Sequence, residues 1–485
     1  MDSLYILNGC ITAYTSSSDV VRNKVAYTLQ SSTENSATNS WNIRFSDGNV
    51  NNNNNKNNSN SVRAVTALEN WEKIGWLEAF RDCCRHKMSS RDCMTYRTHF
   101  WSDLWELMME VHNRTYLPTT SSCFVVTRPK PREVFAANFR DRIVQHWIML
   151  RIRPFFEDRF ISQGNVSFNC RKGFGTLRAT DAIQQKISEV SEDYTKRTFI
   201  GKFDLRSFFM SIDKRVVLKI LIPFVEQNYN EDDKDTLLYL INIVICHCPQ
   251  NNCVRRSPMN KWKLLSANKS LFCIDDNLGL AIGNITSQEV ANFFMSYFDE
   301  WALSKCKPYN AEYIRFVDYF VLISNDQQFI IDFHKEACDW LSTHLELVLH
   351  KDKFYLQEAP KGIKFIGSVV KPGRRYSAKE TVGRLIERAT QAEYLCQKLL
   401  EHPNINNFYR LLKAVSSLNS YMGFMVHNDT YGLRRKVFGH LTFFWKCCYI
   451  KGKFSVVCVR NNFMYNKFLV KERTNYELEL WHRAA

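Results

Sequence analysis

The sequence predicts an α+β protein of 485 residues. Short apolar runs of the kind that form strands recur along residues 123–357. Longer stretches with apolar residues at i, i+3, i+4 and i+7, the spacing of amphipathic helices, lie before, between and after these runs. Because strands and helices alternate and no repeat of fixed period occurs, we expect an α+β domain between two helical regions.

The predicted elements follow one another along the chain. Helical spacing covers residues 68–87 and 100–116, and Pro118 ends it. Four runs predict strands: CFVVTR at 123–128, FIGKFDL at 199–205, YIRFVDYFVLIS at 313–324 and KFYLQ at 353–357. Three stretches predict helices: 140–156, 285–305 and 329–347. Residues 376–447 are predicted to be mostly helical, with breaks near Pro403 and around Gly423.

Composition divides the chain into four predicted segments. Residues 1–66 are rich in Asn and Ser, with five consecutive Asn at 51–55. Asn favours turns and lacks apolar bulk, so we expect a disordered low-complexity extension there. It is followed by a helical region at 67–120, a mixed region at 121–370 and a basic helical region at 371–485.

The charge of the chain is concentrated near its C-terminus. The net charge is +16, of which residues 361–485 carry +14. An excess of this size predicts an anionic partner, with nucleic acid ahead of a membrane surface. No apolar run is long enough to span a membrane, and the N-terminus lacks the features of a secretory signal. We therefore expect a cytoplasmic protein without a membrane partner.

The sixteen cysteines predict reduced thiols rather than disulfides, because the chain is large and has no secretory signal. Two clusters resemble metal sites: Cys83, Cys84, His86 and Cys93, and Cys246, His247, Cys248 and Cys253. Neither has the paired CxxC spacing of a tetrahedral zinc site. Free thiols are therefore the favoured interpretation of both clusters.

Two predicted strands each place a carboxylate within an apolar run, Asp204 in KFDLRSFF and Asp318 in RFVDYFVL. Burying such a charge is costly unless it is paired or bound to a metal. Either residue alone is explained by capping a turn or pairing with an arginine. Two of them in a basic chain fit the pair of Mg²⁺ ions used in phosphoryl transfer. Between them, residues 279–294 form a glycine-containing turn that leads into a helix.

The order of these motifs resembles that of a reverse transcriptase. FDLRSFFMSID, GLAIGNITSQEVAN, YIRFVDYF, HKDKFYLQ and GIKFIGSVV resemble the successive core motifs, and RPKPREVFAANFRDRIVQHWI and NCRKGFGT resemble the fingers motifs upstream. The resemblance extends from residue 68 to the end and is strongest at 128–367. It implies a right-hand polymerase with fingers, a palm containing an antiparallel sheet and a helical thumb, preceded by an N-terminal helical region. The implied activity is that of an RNA-directed DNA polymerase.

The middle motif narrows the resemblance further. Ile282 precedes Gly283, where many reverse transcriptases have Gln, and Ser287-Gln288 follows. This form is similar to the enzymes of diversity-generating retroelements, which copy a template-repeat RNA into error-prone cDNA during mutagenic retrohoming. An aliphatic side chain cannot replace the hydrogen bond of the Gln, which fits relaxed base selection. Residues 31–65 resemble a translated template repeat, and an ordinary Asn-rich linker is the alternative.

The resemblance also implies roles for individual residues. Asp204 and Asp318, with the backbone carbonyl of Leu205, would hold two Mg²⁺ ions, with Mn²⁺ as an alternative. Lys353 would lie near the phosphates as a general acid, and Phe209 would exclude the ribose 2′-OH, although plain core packing on a strand is its alternative. The other residues implied at the dNTP site are Arg132, Arg171, Lys172, Ile282, Gly283 and Gln288. Gly362 and Gly367 would shape a hairpin that grips the primer, and Arg434, Arg435 and Lys436 would contact phosphates, unless they belong to a solvated basic helix.

The implied partners are a template RNA, a primer or cDNA strand, dNTPs and a small basic helical accessory protein that forms a ring. One residue departs from the family pattern, because Tyr319 follows Asp318 where a second Asp is usual. A neutral side chain there lowers the negative charge available to metal ions. Two alternatives therefore stay open: a reverse transcriptase of the retron or phage-defence type, and a degenerate homologue that only binds RNA.

Overall fold

The computed structural model describes residues 75–460, except residues 86, 129, 351 and 352, and the backbone of five short strands in the first 74 residues. The α+β class is confirmed, because long helices alternate with antiparallel sheets. Within these described residues, no helix combines the length and the apolar character that crossing a membrane requires.

The strands of the N-terminal segment are β1 (Thr12–Thr15), β2 (Tyr27–Glu34), β3 (Asn39–Arg44), β4 (Val50–Asn55) and β5 (Ser61–Val62). They form one antiparallel sheet in the order β4-β3-β2-β1-β5. The predicted low-complexity extension at residues 1–66 covers these strands and stays a prediction. The residues between them lie outside the described part.

Fifteen α-helices follow within the described residues: α1 (Trp76–Cys84), α2 (Arg91–Thr98), α3 (Phe100–His112), α4 (Phe139–Ser162), α5 (Thr176–Val190), α6 (Phe208–Ser211), α7 (Lys214–Asn228), α8 (Lys234–Cys246), α9 (Met259–Trp262), α10 (Ile285–Cys306), α11 (Gln327–His344), α12 (Lys379–Glu401), α13 (Ile405–Met425), α14 (Tyr431–Gly439) and α15 (Phe444–Cys447). Their strands are β6 (Ser121–Val126), β7 (Arg132–Ala136), β8 (Phe199–Asp204), β9 (Cys253–Arg255), β10 (Glu312–Phe316), β11 (Tyr319–Ser324), β12 (Tyr355–Glu358), β13 (Ile363–Phe365), β14 (Ser368–Lys371), β15 (Arg374–Ser377), β16 (Cys448–Lys451) and β17 (Val456–Val459).

The chain forms two compact units that are discontinuous in sequence. The first unit contains Met1–Ser162, Arg206–Tyr297 and Ser342–Leu347, and the second contains Gln163–Leu205, Phe298–Leu341 and Val348–Ala485. The sequence predicted four segments that follow one another along the chain, whereas each compact unit combines separate stretches of the chain. The division into four segments stays a prediction.

The first unit packs helices around a small sheet of order β7-β6-β9. Strands β6 and β7 are antiparallel, and β9 joins β6 in parallel. Trp76 and Trp147 stack in the helical core with ring centroids 5.1 Å apart, and both are fully buried. This burial explains the amphipathic spacing of α1 in the sequence, whereas α4 is buried on all sides along residues 143–149.

The second unit is built on an antiparallel sheet of order β10-β11-β8-β12. The central strand β11 is buried over five of its six residues, whereas β8 leaves Lys202 and Asp204 half-buried and buries its other four residues. Helix α5 packs Ile183 and Ile187 against this sheet. The sheet type is the one that the resemblance to reverse transcriptases implies for a palm.

The C-terminal part of the second unit is mostly helical, as predicted. Helices α12 and α13 share an apolar core with α14, α15 and the β16–β17 hairpin. The break near Pro403 is confirmed, because α12 ends at Glu401 and α13 begins at Ile405. The second break falls after Met425 rather than at Gly423, which lies inside α13.

Two local predictions were wrong. Residues 313–324 form not one strand but two, β10 and β11, joined by a turn at Val317-Asp318. Phe208 and Phe209 lie in the short helix α6 rather than on a strand, because the chain leaves β8 after Asp204 and Ser207 has a positive φ of 48°. The two rings therefore do not alternate across a sheet.

Candidate active site

The two predicted carboxylates lie on neighbouring chain segments at one end of the sheet of the second unit. Asp204 is the last residue of β8, and its register partner on β11 is Tyr319, the residue after Asp318. The Leu205 N–H donates to the Asp318 carbonyl at 2.9 Å. Both carboxylates are partly exposed. The sheet thus brings together two acidic groups that are more than a hundred residues apart in sequence.

The backbone of Asp204 is also fixed on its other side. The His350 N–H donates to the Asp204 carbonyl at 2.8 Å, and Leu205 forms an antiparallel bridge with Leu349. Leu205 itself is 3% exposed. The main chain at this end of β8 is therefore held from two directions, while the carboxylate stays accessible.

Lys353 forms an ion pair with Asp204. Its Nζ lies 2.6 Å from Asp204 Oδ2, and the two side chains are 47% and 26% exposed. An ion pair at such an exposed position contributes about 1 kcal/mol or less to folding. The ion pair matters for the chemistry of the site, because it shows that a positively charged group can lie next to the Asp204 carboxylate.

The turn that carries Asp318 is held by a buried ion pair that the sequence analysis missed. Arg315 donates from Nε and Nη2 to both oxygens of Asp299 at 2.6 Å, and both side chains are 0% exposed. The same guanidinium donates from Nη1 to the Val317 carbonyl at 3.2 Å. Val317 has a positive φ of 59°, which is unusual for a β-branched residue. The only sequence signal was a charged residue within an apolar strand, two positions before the turn.

Tyr319 occupies a largely apolar environment next to Asp318. Its ring lies 5.3 Å from that of Phe365, and the Lys202 Nζ lies 5.0 Å from its ring centroid. Burial, followed by the charge of Asp318, raises the pKa of the Tyr319 hydroxyl well above its ordinary value. The side chain therefore stays neutral at physiological pH and cannot replace the charge of a second aspartate.

The segment that the resemblance implies to grip the primer forms the hairpin β13–β14, joined by Ile366-Gly367. Both turn residues have positive φ, 39° and 81°, as a type I′ turn requires. The Ile366 backbone N–H faces the Tyr319 hydroxyl, so this turn contacts the residue after Asp318. Gly362 precedes β13 with a φ of 84°, and a Cβ there would lie 2.7 Å from the Val370 carbonyl oxygen.

In the first unit, the Ile282-Gly283 motif is attached to β7. The Phe135 N–H donates to the Ile282 carbonyl at 2.8 Å. A Cβ at Gly283 would lie 2.2 Å from the Phe135 carbonyl oxygen, so this close approach requires glycine. The Leu280 N–H donates to the Phe209 carbonyl at 2.8 Å, which places Phe209 beside the same segment.

The other predicted dNTP and phosphate contacts divide into exposed and buried groups. Arg132, Lys172, Gln288, Arg435 and Lys436 are exposed. Arg171 is 8% exposed, and it donates to the Ser167 carbonyl at 2.8 Å and to Asn165 Oδ1 at 2.7 Å. Its burial argues against a direct contact with a triphosphate.

Arg434 requires a similar correction. It is 4% exposed and donates to the carbonyls of Lys453 and Phe454 and to Thr430 Oγ1. Its partners are internal, so the prediction that it contacts phosphates is not supported. Its neighbours Arg435 and Lys436 are exposed and available for such contacts.

The part of the chain that the structure describes contains no group of three His, Cys, Asp or Glu side chains placed to hold a metal ion. In the first cysteine cluster, Cys83, Cys84 and Cys93 are buried, and burial raises the pKa of Cys83 and of Cys84 to about 12. In the second, the Lys214 Nζ lies 3.3 Å from Cys248 Sγ. His86 lies outside the described residues. The described cysteines of both clusters form no disulfide, and their interpretation as free thiols rather than metal ligands stays a prediction.

No protein-family model and no curated protein match the sequence. Among solved structures, the chain is similar to apo telomerase from Candida tropicalis truncated from its C-terminal domain, at 10% identity and a TM-score of 0.38, over 52% of this chain and 53% of that one. It is also similar to telomerase from Candida albicans in complex with a fragment of telomeric RNA, at 12% identity and a TM-score of 0.37, over 70% of this chain and 61% of that one. It is also similar to another structure of apo telomerase from Candida tropicalis, at 9% identity and a TM-score of 0.39, over 67% of this chain and 62% of that one. The chain thus spans between 53% and 62% of the lengths of these proteins.

Proposed function

We propose that this protein is an RNA-directed DNA polymerase whose active site is formed by Asp204 and Asp318. The observation that carries the proposal is the pairing of these two accessible carboxylates at one end of an antiparallel sheet, with Leu205 donating to the Asp318 carbonyl. The strand motifs that resemble reverse transcriptases are the same segments that the fold brings together. The reaction would join a primer 3′-OH to the α-phosphate of a dNTP and release pyrophosphate.

The donor set fits Mg²⁺, which prefers oxygen ligands and completes its shell with water and substrate phosphates. Asp204, Asp318 and the Leu205 carbonyl would hold the ions, with Mn²⁺ as an alternative. Bound there, they would neutralise charge on the attacking and leaving oxygens. Lys353, paired with Asp204 at 2.6 Å, would release its partner and donate to the phosphates. Most of the rate enhancement would come from positioning.

We further propose that the enzyme belongs to the error-prone class found in diversity-generating retroelements. Ile282 packs with an apolar cluster that includes Phe135 and Met210. An aliphatic side chain at this point gives no hydrogen bond to an incoming base, which supports relaxed selection. The proposed partners are a template-repeat RNA, the cDNA strand, dNTPs and a basic helical accessory protein.

Tyr319 favours a second candidate function, that of a homologue that binds RNA without copying it. The neutral tyrosine removes one negative charge beside the proposed metal ligands, and its raised pKa keeps it neutral. The two candidates share a fold and differ only in turnover.

Primer extension with purified protein, a cognate RNA, Mg²⁺ and the accessory protein separates them. Wild type, Asp318→Ala and Tyr319→Asp are compared. We expect wild-type extension that Asp318→Ala abolishes. A silent wild type together with an active Tyr319→Asp variant would instead establish an inactivated polymerase, and equal extension by wild type and Asp318→Ala would contradict the assigned site.

A further inference from the structure

A second concentration of positive charge lies in the first unit, far along the chain from the basic C-terminal region. Residues 247–274, called the basic loop below, contain five Lys or Arg and no Asp or Glu, whereas residues 67–360 as a whole carry only +1. All five cations are exposed: Arg255, Arg256, Lys261, Lys263 and Lys269. The rest of that region is therefore slightly acidic, and the charge of the loop is local.

The basic loop is anchored to the sheet at its first end. Strand β9 pairs in parallel with β6, and the Arg256 N–H donates to the Cys123 carbonyl at 2.7 Å. Ser257 Oγ accepts from the Val125 N–H at 3.0 Å. These bonds hold the backbone that carries the two arginines, so their positions are defined before a ligand arrives.

A buried glutamate anchors the other end. Glu133 on β7 is 0% exposed and accepts from Ser270 Oγ at 2.6 Å and from the Leu271 N–H at 2.8 Å. The Arg255 guanidinium lies 3.8 Å from the centroid of the Phe272 ring. The apolar ends of the loop thus face inward while its cations face outward.

None of the five cations forms an ion pair with a carboxylate among the residues that the structure describes. Elsewhere, exposed lysines such as Lys196, Lys305 and Lys335 pair with nearby acids. Arg255 still feels the charge of the buried Glu133, whereas the other four cations have no such acidic partner among the described residues. Exposed cations without ion-pair partners are the arrangement that binds a phosphate backbone and gains free energy from counterion release.

We propose that the basic loop is a nucleic-acid-binding surface that contacts the phosphate backbone of the template RNA, separate from the contacts expected of the C-terminal region. This proposal deepens the proposed function and rests on its assignment of an RNA substrate. A membrane is a poorer fit, because the one α-helix of the loop, α9, has four residues, and its 3-10 turns have three each, so none presents an extended apolar face.

The test measures binding of a fluorescein-labelled oligouridine of about 30 nucleotides by anisotropy at several salt concentrations. The variant is Lys261→Gln/Lys263→Gln/Lys269→Gln in the full chain. The matched control is Lys196→Gln/Lys305→Gln/Lys335→Gln, which removes the same net charge from residues that already have acidic partners. Circular dichroism checks that both are folded, and Lys263→Glu alone is the second test variant.

For three phosphate contacts to a single strand, the slope of log K against log salt falls in magnitude by about two, and affinity at 0.1 M salt falls of the order of a hundredfold. The control should keep the wild-type slope. An unchanged slope in the loop variant, or an equal change in both variants, overturns the inference. Binding of the loop to phosphatidylserine vesicles with no effect on RNA also overturns it, in favour of a membrane surface.

The two proposals fail in distinguishable ways, because this assay needs no turnover. Asp318→Ala should bind the oligonucleotide like wild type although it fails to extend a primer. If Asp318→Ala extends normally, the proposed active site is wrong whatever the loop does. If extension depends on Asp318 while the loop variant binds normally, only the inference about the loop is wrong.

Discussion

Two hairpin turns in the second unit have the same length, but different contacts hold them in place. The β10–β11 turn consists of Val317-Asp318, and the β13–β14 turn consists of Ile366-Gly367. Each begins with a β-branched residue at positive φ, 59° for Val317 and 39° for Ile366. At the second position, Gly367 has a positive φ of 81°, whereas Asp318 does not.

The difference lies in what holds each turn in place. Glycine supplies the geometry of the β13–β14 turn locally, with the Gly367 carbonyl accepting from the Ala378 N–H at 2.7 Å. The Val317-Asp318 turn contains no glycine and is held from outside by the buried Arg315–Asp299 pair. The turn that presents the Asp318 carboxylate thus lacks a glycine and depends on the buried Arg315–Asp299 pair instead.

Removal of Asp299 should have the largest effect on the difference between the two turns, because, of the two, only the Val317-Asp318 turn depends on it. Asp299→Ala leaves the Arg315 guanidinium buried without its partner, and we expect a loss of about 3–5 kcal/mol in the free energy of unfolding. Urea denaturation measures it. The control is Glu358→Ala, which removes the partner of the exposed Arg197 and should cost about 1 kcal/mol or less.

Hydrogen exchange distinguishes the two turns in the milder variant Arg315→Lys. This variant keeps the positive charge but loses the planar guanidinium that donates to both oxygens of Asp299. Exchange at the Leu205 amide, which donates to the Asp318 carbonyl, should accelerate. Exchange at the Ala378 amide, which reports on the Gly367 turn, should not. Equal acceleration at both amides would contradict a specific role for Arg315 in holding the Asp318 turn.

Gly362→Ala should damage the glycine-dependent hairpin. The new Cβ would lie 2.5 Å from Lys371 Cγ and 2.7 Å from the Val370 carbonyl oxygen, at a φ of 84°. We expect a loss of about 2–4 kcal/mol from overpacking and backbone strain together. Gly373→Ala is the control, because φ there is 64° but no atom lies within 4 Å, so only the strain of about 1 kcal/mol applies. Thermal or urea unfolding measures both, and equal losses would contradict the steric argument.

Tyr319→Phe removes the hydroxyl beside the Ile366 N–H of the second turn. We expect a loss of about 1 kcal/mol or less in the free energy of unfolding, measured by urea denaturation. Because its raised pKa keeps the hydroxyl neutral, the variant should also retain the pH profile of wild-type primer extension up to about pH 9. A shift of that profile would mean that the tyrosine titrates in the working range. Tyr319→Leu, which also removes the ring, is the matched comparison.

The smallest expected effect is an increase in the free energy of unfolding. Val317→Asn replaces a β-branched residue at positive φ with one that tolerates this conformation. We expect stabilisation of about 1 kcal/mol in urea denaturation. Ile366→Asn should gain less, because Ile366 also packs against the apolar cluster of the sheet. A larger gain at residue 366 than at residue 317 would mean that packing, not φ, dominates at these turns.

Sequence patterns predicted the regular parts of this fold well. Strand 199–205 and helix 285–305 were placed to within one residue, because each is a continuous run with few breaking residues. The single strand predicted at 313–324 was wrong, since no Gly, Pro or Asn marks the turn at Val317-Asp318. That turn depends on Asp299, a tertiary partner that local periodicity does not reveal.

The candidate site was predicted in part for the same reason. Asp204 and Asp318 stood out as charges within apolar strands, and the sheet brings their segments together. Arg171 and Arg434 were placed on the surface, but both bind backbone carbonyls inside the protein. The sequence of an arginine does not show whether its partner is a phosphate or a carbonyl of its own chain.

The main-chain bonds at the two aspartates bear on how this protein can change over evolutionary time. The Asp204 carbonyl accepts from His350 and the Asp318 carbonyl accepts from Leu205, and neither bond involves a carboxylate. Replacing either side chain leaves both main-chain bonds in place, and the exposed Lys353–Asp204 ion pair contributes about 1 kcal/mol or less. A lineage could therefore exchange either carboxylate and keep the main-chain framework at this end of the sheet.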